Sequence, residues 1–162
     1  MVLSVQELSQ LWKEKSVSLA LLARAIGDWH EDSVQEAFLK LAAQEPPPND
    51  PAAWLFQVVR NQAISYRRSD RRRSEREFKS AQQRSNWFAD PKETETRIDS
   101  VSATAALQGL AEEEREVVIL HLWGELTFRQ IAEVLGISAA TVHRRYQSSL
   151  TLLRTRLRVE TH

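Results

Sequence analysis

The chain has 162 residues, 42% hydrophobic and 27% charged, enough to bury one ordinary core or two small ones and too well mixed to be disordered as a whole. It has no Cys, which excludes a disulfide framework and a thiolate metal site, and neither a membrane span of roughly 20 apolar residues nor a signal peptide is present, so a cytoplasmic protein is expected. The formal net charge of zero conceals segregation: from Arg60 to Arg84 nine basic residues stand against three acidic ones, while acid collects at Glu112, Glu113, Glu114 and Glu116.

Ser4 and Glu7 have the spacing of a capping box, in which each side chain satisfies an orphan backbone N–H at a helix start. Leu8, Leu11 and Trp12 begin an apolar face that resumes at Leu19, Leu22 and Ile26 before Gly27. A second helix carries Val34, Ala37, Phe38 and Leu41 and stops before Pro46, Pro47 and Pro48, which cannot continue it. Asp50 and Pro51 read as the N-cap and first-turn proline of a third helix. Its inner side should hold Trp54, Leu55, Val58 and Val59, and from Arg60 it turns into a polar, arginine-rich extension.

Residues 85–100, SNWFADPKETETRIDS, combine a Pro, several capping residues and weak periodicity, which predicts a linker between two bodies. The second body begins with an apolar segment from Val101 to Leu110, broken near Gly109. A helix from the acidic cluster at Glu112 to Trp123 follows, and acid in a first turn suits the positive end of the helix dipole. Gly124 should end it. No strand alternation, phosphate-binding glycine loop or internal repeat is present, so an all-α fold of two small helical domains is expected.

The sharpest local signal is LTFRQIAEVLGISAATVHRRYQSSLTLLR, from Leu126 to Arg154. Thr127 and Gln130 form a second capping box, Ile131, Ala132 and Leu135 give a short helix its apolar face, and Gly136 permits a sharp turn. Ser138 caps the next helix, on which Val142, Tyr146, Leu150, Leu153 and Leu157 recur as one buried stripe. The opposite side carries Ala139, Ala140, His143, Arg144 and Gln147, with Arg145 on its flank. Small residues thus stand at the tip where backbone would approach a groove, and hydrogen-bond donors stand behind them. Between Ser138 and Arg158 there are five Arg and no Asp or Glu. This is a helix-turn-helix, although amphipathic helix pairs with a Gly turn also occur in all-helical domains that bind no DNA.

Taken together, these segments resemble the extracytoplasmic-function group of bacterial RNA polymerase sigma factors, which keep only the helical domains called region 2 and region 4. WHEDSVQEAFLKL, from Trp29 to Leu41, is similar to region 2.2 through Glu31, Asp32, Val34, Gln35, Glu36 and Phe38. The segment from Ala53 to Arg73 is similar to regions 2.3 and 2.4 through Trp54, Leu55, Arg60, Asn61 and Ala63. ALQGLAEEEREVVILHLWGELTFRQIAEVLGISAATVHRR is similar to region 4, including Leu110, Arg115, Glu116, Ile131, Ala132, Leu135, Gly136, Ser138, Thr141, Val142 and Arg145. The family usually has Asp where this chain has Ser65, a basic residue where it has His143, and Arg-Ala where it has Ser148 and Ser149.

The resemblance implies region 2 over residues 1–84, a linker over 85–100 and region 4 over 101–162. It implies a non-enzymatic specificity subunit, with no cofactor and no metal, that binds core RNA polymerase, directs it to promoter DNA and helps open the duplex; an anti-sigma partner would also be in keeping. Asp32, Gln35, Glu36 and Phe38 are then the candidates for polymerase contact, where the residues alone read as a helix with Val34, Ala37 and Leu41 in the core and its charges solvated. Asn61, Ser65, Tyr66, Arg67 and Arg68 are the candidates for the minus-ten element, where cationic grooves and aromatic platforms hold unpaired strands. Trp54 reads as core, and Arg71 to Arg73 as nonspecific attraction to the backbone. Ala140, Thr141, His143, Arg144 and Arg145 are the candidates for the minus-thirty-five element, read in the major groove.

Two other classes compete. A stand-alone helix-turn-helix regulator would need neither the region 2.2 motif nor the arginine-rich extension. A metalloenzyme would have to be built from His30, His121, His143 or His162; His121 and Glu125 lie four apart, but Gly124 should end their helix and no third ligand is near.

Overall fold

The computed structural model describes residues 1–27, 32–74 and 105–160, and every regular element in them is helical. Chain order gives α1 (Val5–Ile26), α2 (Ser33–Ala43), α3 (Pro51–Ser74), α4 (Glu112–Val118) running into a π-helical turn (Ile119–Trp123), α5 (Phe128–Leu135) and α6 (Ala139–Glu160), with a single further turn at 105–108. Trp29, His30, Glu31, the linker at 85–100, the start of the segment at Val101 and His162 lie outside the described residues, as do the side chains of Arg73, Leu157 and Arg158.

The helix boundaries follow the capping chemistry. Ser4 Oγ accepts from Glu7 N at 3.2 Å while Glu7 Oε2 accepts from Ser4 N at 2.7 Å, the reciprocal capping box. At the other end of α1 the left-handed Gly27, φ 109°, donates its N–H to Ala23 O and Arg24 O. Asp50 Oδ1 accepts from Ala53 N at 3.1 Å, so Asp50 and Pro51 open α3 as expected. The box at Thr127 and Gln130, the left-handed Gly136 at φ 70° and the Ser138 Oγ bond from Thr141 N at 3.1 Å complete the helix-turn-helix.

α3 lies between α1 and α2 on one side and α5 on the other. Leu55, Phe56 and Val59 are all fully buried, while Trp54 and Val58 are only partly so. Phe56 therefore joins the expected inner side, and it does so because the second half of the chain covers that part of α3. In the same way Val117, Val118, Ile119 and Leu120 are four consecutive residues with no exposure. Four successive positions sweep almost the whole circumference of a helix, so the end of α4 and the start of its π-helical turn are enclosed on all sides, with α1 and α6 packed against α4. One continuous apolar core runs from Leu19 and Leu22 through Phe56 and Val118 to Ile131 and Val142.

The helix expected from Glu112 to Trp123 is present, with a change of winding at its end: Gly124 N bonds to Ile119 O at 2.9 Å and Leu126 N to Leu120 O at 3.1 Å. A Cβ on Gly124 would stand 2.6 Å from Leu120 O and 3.0 Å from Phe56 Cζ, so this glycine allows α3 to approach the turn. Within α6 the stripe holds at Val142 and, partly buried, at Tyr146 and Leu153. Leu150 is only partly buried, and the fully buried position beside it is Ser149, outside the expected stripe, whose hydroxyl donates to Arg145 O at 2.6 Å and so needs no water.

Arg115 ties the halves together. Its guanidinium donates to Leu107 O, Gln108 O and Leu110 O within the second half and to Ala25 O near the end of α1, at 3.0 to 3.2 Å. Desolvation by its surroundings lowers its pKa, against the opposing pull of Glu112 and Glu116, yet a guanidinium stays charged throughout the useful pH range.

Candidate nucleic-acid and polymerase interfaces

The residues expected at the minus-ten element divide between two sides of α3. Asn61, Ser65 and Arg68 are exposed and follow one another at steps of four and three, so they share a face; together with Ile64, Ser69 and Arg72 they line a depression of about 490 Å³. Tyr66 and Arg67 point elsewhere. Tyr66 Oη donates to Glu36 Oε2 on α2 at 3.1 Å, and Arg67 donates to Ile26 O at 3.3 Å and pairs with Glu112. Arg60, next to the same face, donates through Nε to Glu116 Oε2 at 3.0 Å.

At the head of α6, Ala139, Ala140, His143, Arg144 and Gln147 are exposed, as the spacing predicts. Thr141 is part of the cap, sharing a hydrogen bond with Ser138 Oγ at 2.8 Å and accepting one from Arg144 at 3.2 Å. His143 rests its ring against Phe128, centroid to centroid 5.7 Å, and Phe128 in turn contacts Tyr146 and His121. The His121 Nδ1 lies 2.9 Å from Leu126 O; a carbonyl only accepts, so this nitrogen carries the proton. That aromatic cluster fixes the pitch of α6 on α5. Arg145 leans away from the exposed face toward Glu113, 3.6 Å distant.

On α2, Asp32 and Gln35 are exposed, Glu36 is half-buried by its bond from Tyr66, and Phe38 is buried with its ring edge-on to Trp12 at 4.9 Å. The residue that sequence reasoning passed over is Leu39, 70% exposed and one helical turn beyond Gln35. Its signal was there: it is the apolar residue out of phase with Val34, Ala37, Phe38 and Leu41. Asp32, Gln35 and Leu39 follow one another at steps of three and four and form a mixed polar and apolar exposed strip along α2. Among the described residues no cluster of His, Asp and Glu is arranged to hold a metal ion, and no helix is long and apolar enough to cross a membrane.

Residues 16–73 match the family Sigma-70 region 2 and residues 100–153 match Sigma-70, region 4. The chain is 33% identical over 131 residues to the ECF RNA polymerase sigma factor SigL of Mycobacterium tuberculosis, covering 78% of this chain and 73% of that protein. It is 30% identical over 135 residues to the probable RNA polymerase sigma factor RfaY of Xanthomonas campestris, covering 78% of this chain and 34% of that longer protein. Its fold matches the sigma factor RpoE in complex with the anti-sigma factor NepR from Bartonella quintana, with a TM-score of 0.71 at 21% identity over 96% of this chain and 99% of that one. It also matches CnrH in complex with the cytosolic domain of CnrY, with a TM-score of 0.62 at 24% identity over 96% of this chain and 90% of that one. With region 2 and region 4 matched in that order along it, the chain is a member of the extracytoplasmic-function sigma factors, transcription initiation factors that bind core RNA polymerase and direct it to promoters.

Proposed function

We propose that the exposed face of α3, built on Asn61, Ser65, Arg68 and Arg72, engages the minus-ten element, and that the head of α6, led by Arg144 with Ala140 and His143 beside it, reads the minus-thirty-five element. The observation that carries this reading is the pairing of two basic, exposed helix faces on opposite halves of one chain. Arg144 stands one turn into α6, where a major-groove helix places its base contacts, and its guanidinium matches the paired acceptors of guanine. Ser65 and Asn61 supply neutral donors and acceptors beside the cations of Arg68 and Arg72, a combination that suits a single strand held by its phosphates and base edges.

The α2 strip of Asp32, Gln35 and Leu39 is the polymerase-contact surface in this reading, with Glu36 and Phe38 supporting it from within: Glu36 orients Tyr66, and Phe38 anchors α2 to Trp12. The region 2 unit occupies 1–84, the region 4 unit 101–162, and residues 85–100 join them. The chain works in the cytoplasm as a non-enzymatic subunit, polymerase supplying the catalysis. Its fold relatives were captured with anti-sigma factors, which supports regulation of this chain by a partner of that kind.

Permanganate probing of promoter DNA bound by the holoenzyme tests the division of labour, because it reacts with unpaired thymines. Asn61→Ala with Arg68→Ala is expected to reduce reactivity at the minus-ten element while protection at minus-thirty-five persists. Arg144→Ala is expected to weaken protection at minus-thirty-five first. Loss of both signals together in either variant would overturn the assignment.

A further inference from the structure

Two histidines touch the Phe128 ring, and their surroundings differ. His121 is half-buried, 4.8 Å from Phe128 and 4.7 Å from Tyr146 between ring centroids, and its Nδ1 is committed to Leu126 O at 2.9 Å. His143, one turn into α6, sets its ring edge to face with Phe128 at 5.7 Å and 76°, yet is exposed. Among the described residues no hydrogen bond or ion pair engages the His143 ring. The Cα–Cβ bond of a helical residue leans toward the helix N-terminus, so this side chain starts over Ala139 and Ala140, whose methyl groups are too small to cover it. We propose that His143 is a titratable contact to the minus-thirty-five element: its imidazolium form donates to an acceptor on the duplex, and engagement of that element strengthens as pH falls. The proposal rests on the assignment of the head of α6 to that element.

Imidazole is the side chain whose charge ordinarily changes between about pH 5 and 8. Neutral, it offers one N–H donor and one bare lone pair; protonated, it offers two donors and a positive charge. Guanine O6 and N7 and the phosphate oxygens all accept, and a bond to an acceptor from a charged donor is roughly twice as strong as one from a neutral donor. The groups packed around the ring leave that charge for an external anion. Arg144 follows it on α6, where Tyr146 also lies; α5 brings Arg129 and Glu133, both exposed; Glu125, ahead of α5, reaches Lys15 at 3.9 Å; and His121 in the π-helical turn is held by Leu126 O. None of these carboxylates forms an ion pair with His143. Phe128 supplies the other requirement, a fixed ring: it is itself braced by Tyr146 at 5.2 Å and by His121, so the imidazole is held in place before DNA arrives and less rotamer freedom is lost on binding.

The test is a binding titration of the holoenzyme on promoter duplex across a pH series from about 5.5 to 8, with the wild type, His143→Gln and His143→Arg. His30, His121 and His162 remain in all three proteins, so the ratio of wild-type to His143→Gln affinity isolates residue 143. That ratio is expected to rise about tenfold from the alkaline to the acid end, the order of one hydrogen bond becoming charge-assisted. His143→Arg is expected to hold the acid-end affinity throughout. A fragment with a mutated minus-thirty-five element identifies the acceptor. An equal rise on both fragments, with the slope of log affinity against log salt steeper by about 0.9 in acid, marks a phosphate; a rise on the native element alone marks a base edge. A ratio flat with pH, or a His143→Arg curve that parallels the wild type, would overturn the proposal. Arg144→Ala in the same titration keeps this contact apart from the assignment beneath it. If Arg144→Ala weakens binding to the native element while the His143 ratio is flat, the titratable contact falls and the assignment of α6 stands; if neither residue affects binding, the assignment falls with it.

Discussion

Arg60 on α3 and Glu116 on α4 meet at 3.0 Å with the carboxylate almost wholly enclosed, and the pair sits where the two halves of the chain touch. Burial raises the pKa of Glu116 more than the neighbouring Arg60 lowers it. A carboxyl whose pKa is higher folded than unfolded contributes stability that is fully present below its unfolded value, near 4.5, and is lost as pH rises through the folded one. Glu116→Gln removes this titration. The unfolding free energy of the wild type relative to the Gln variant is therefore expected to be flat in acid and to fall as pH climbs above the ordinary carboxylate range. Denaturant titrations of both proteins at a series of pH values check this; a difference that grows with pH would show that Arg60 outweighs the burial.

Gly124→Ala is expected to destabilise the protein by about 1 to 3 kcal/mol, the range for forcing extra volume into a packed site. The new Cβ meets a backbone oxygen, Leu120 O, which cannot swing aside, as well as the Phe56 ring. Chemical denaturation measures the loss, and a Phe56→Leu background should relieve little of it because the carbonyl clash stays.

Two left-handed positions should respond with opposite signs. Glu125 has φ 58°, and its carboxylate, 82% exposed, reaches Lys15 only at 3.9 Å, a pair too exposed to offset the strain. Glu125→Gly is expected to stabilise by roughly 0.5 to 1 kcal/mol, the backbone relief exceeding the extra entropy of an unfolded glycine. Gly136, φ 70°, has nothing within 4 Å of where a Cβ would stand, so Gly136→Ala isolates the conformational cost and should destabilise by about 1 kcal/mol. Thermal unfolding of the two variants side by side gives the comparison.

Leu39→Asp is expected to weaken binding to core polymerase at least several-fold while leaving the unfolding free energy within about 0.5 kcal/mol of wild type, as for exposed positions generally. Phe38→Ala should do the reverse at first order, costing about 3 kcal/mol or more of stability through the lost contact with Trp12 and the core. Measured polymerase affinity beside denaturation midpoints separates a contact residue from a supporting one.

Arg144→Ala is expected to lower discrimination at the minus-thirty-five element by about 1 to 3 kcal/mol, the worth of a paired contact to guanine, with polymerase binding intact. Competition between promoter and mutated promoter fragments reads it. A parallel fall in polymerase affinity would make Arg144 structural.

What was legible in the sequence was whatever local chemistry decides. The boxes at Ser4 and Glu7 and at Thr127 and Gln130, the Asp50 cap and the turns at Gly27 and Gly136 all depend on residues a few positions apart, and each stands where spacing put it. What escaped depends on docking between elements far apart in the chain. Phe56 is buried by the second half of the molecule, Ser149 is buried more deeply than the expected Leu150 because Arg145 O is there to accept its hydroxyl, and Tyr66 and Arg67 turn inward to Glu36, Ile26 O and Glu112. Periodicity along one helix reports which residues share a face; it does not report how many faces are covered.

The most direct test is a footprint on promoter DNA with and without core polymerase. With polymerase, the protein is expected to protect two elements about two helical turns apart, and alone to bind the same duplex weakly and without a defined edge. A tight, symmetric footprint from the protein alone, with no complex formed on addition of core enzyme, would contradict the account of α3 and α6 as two heads set at their working distance by polymerase.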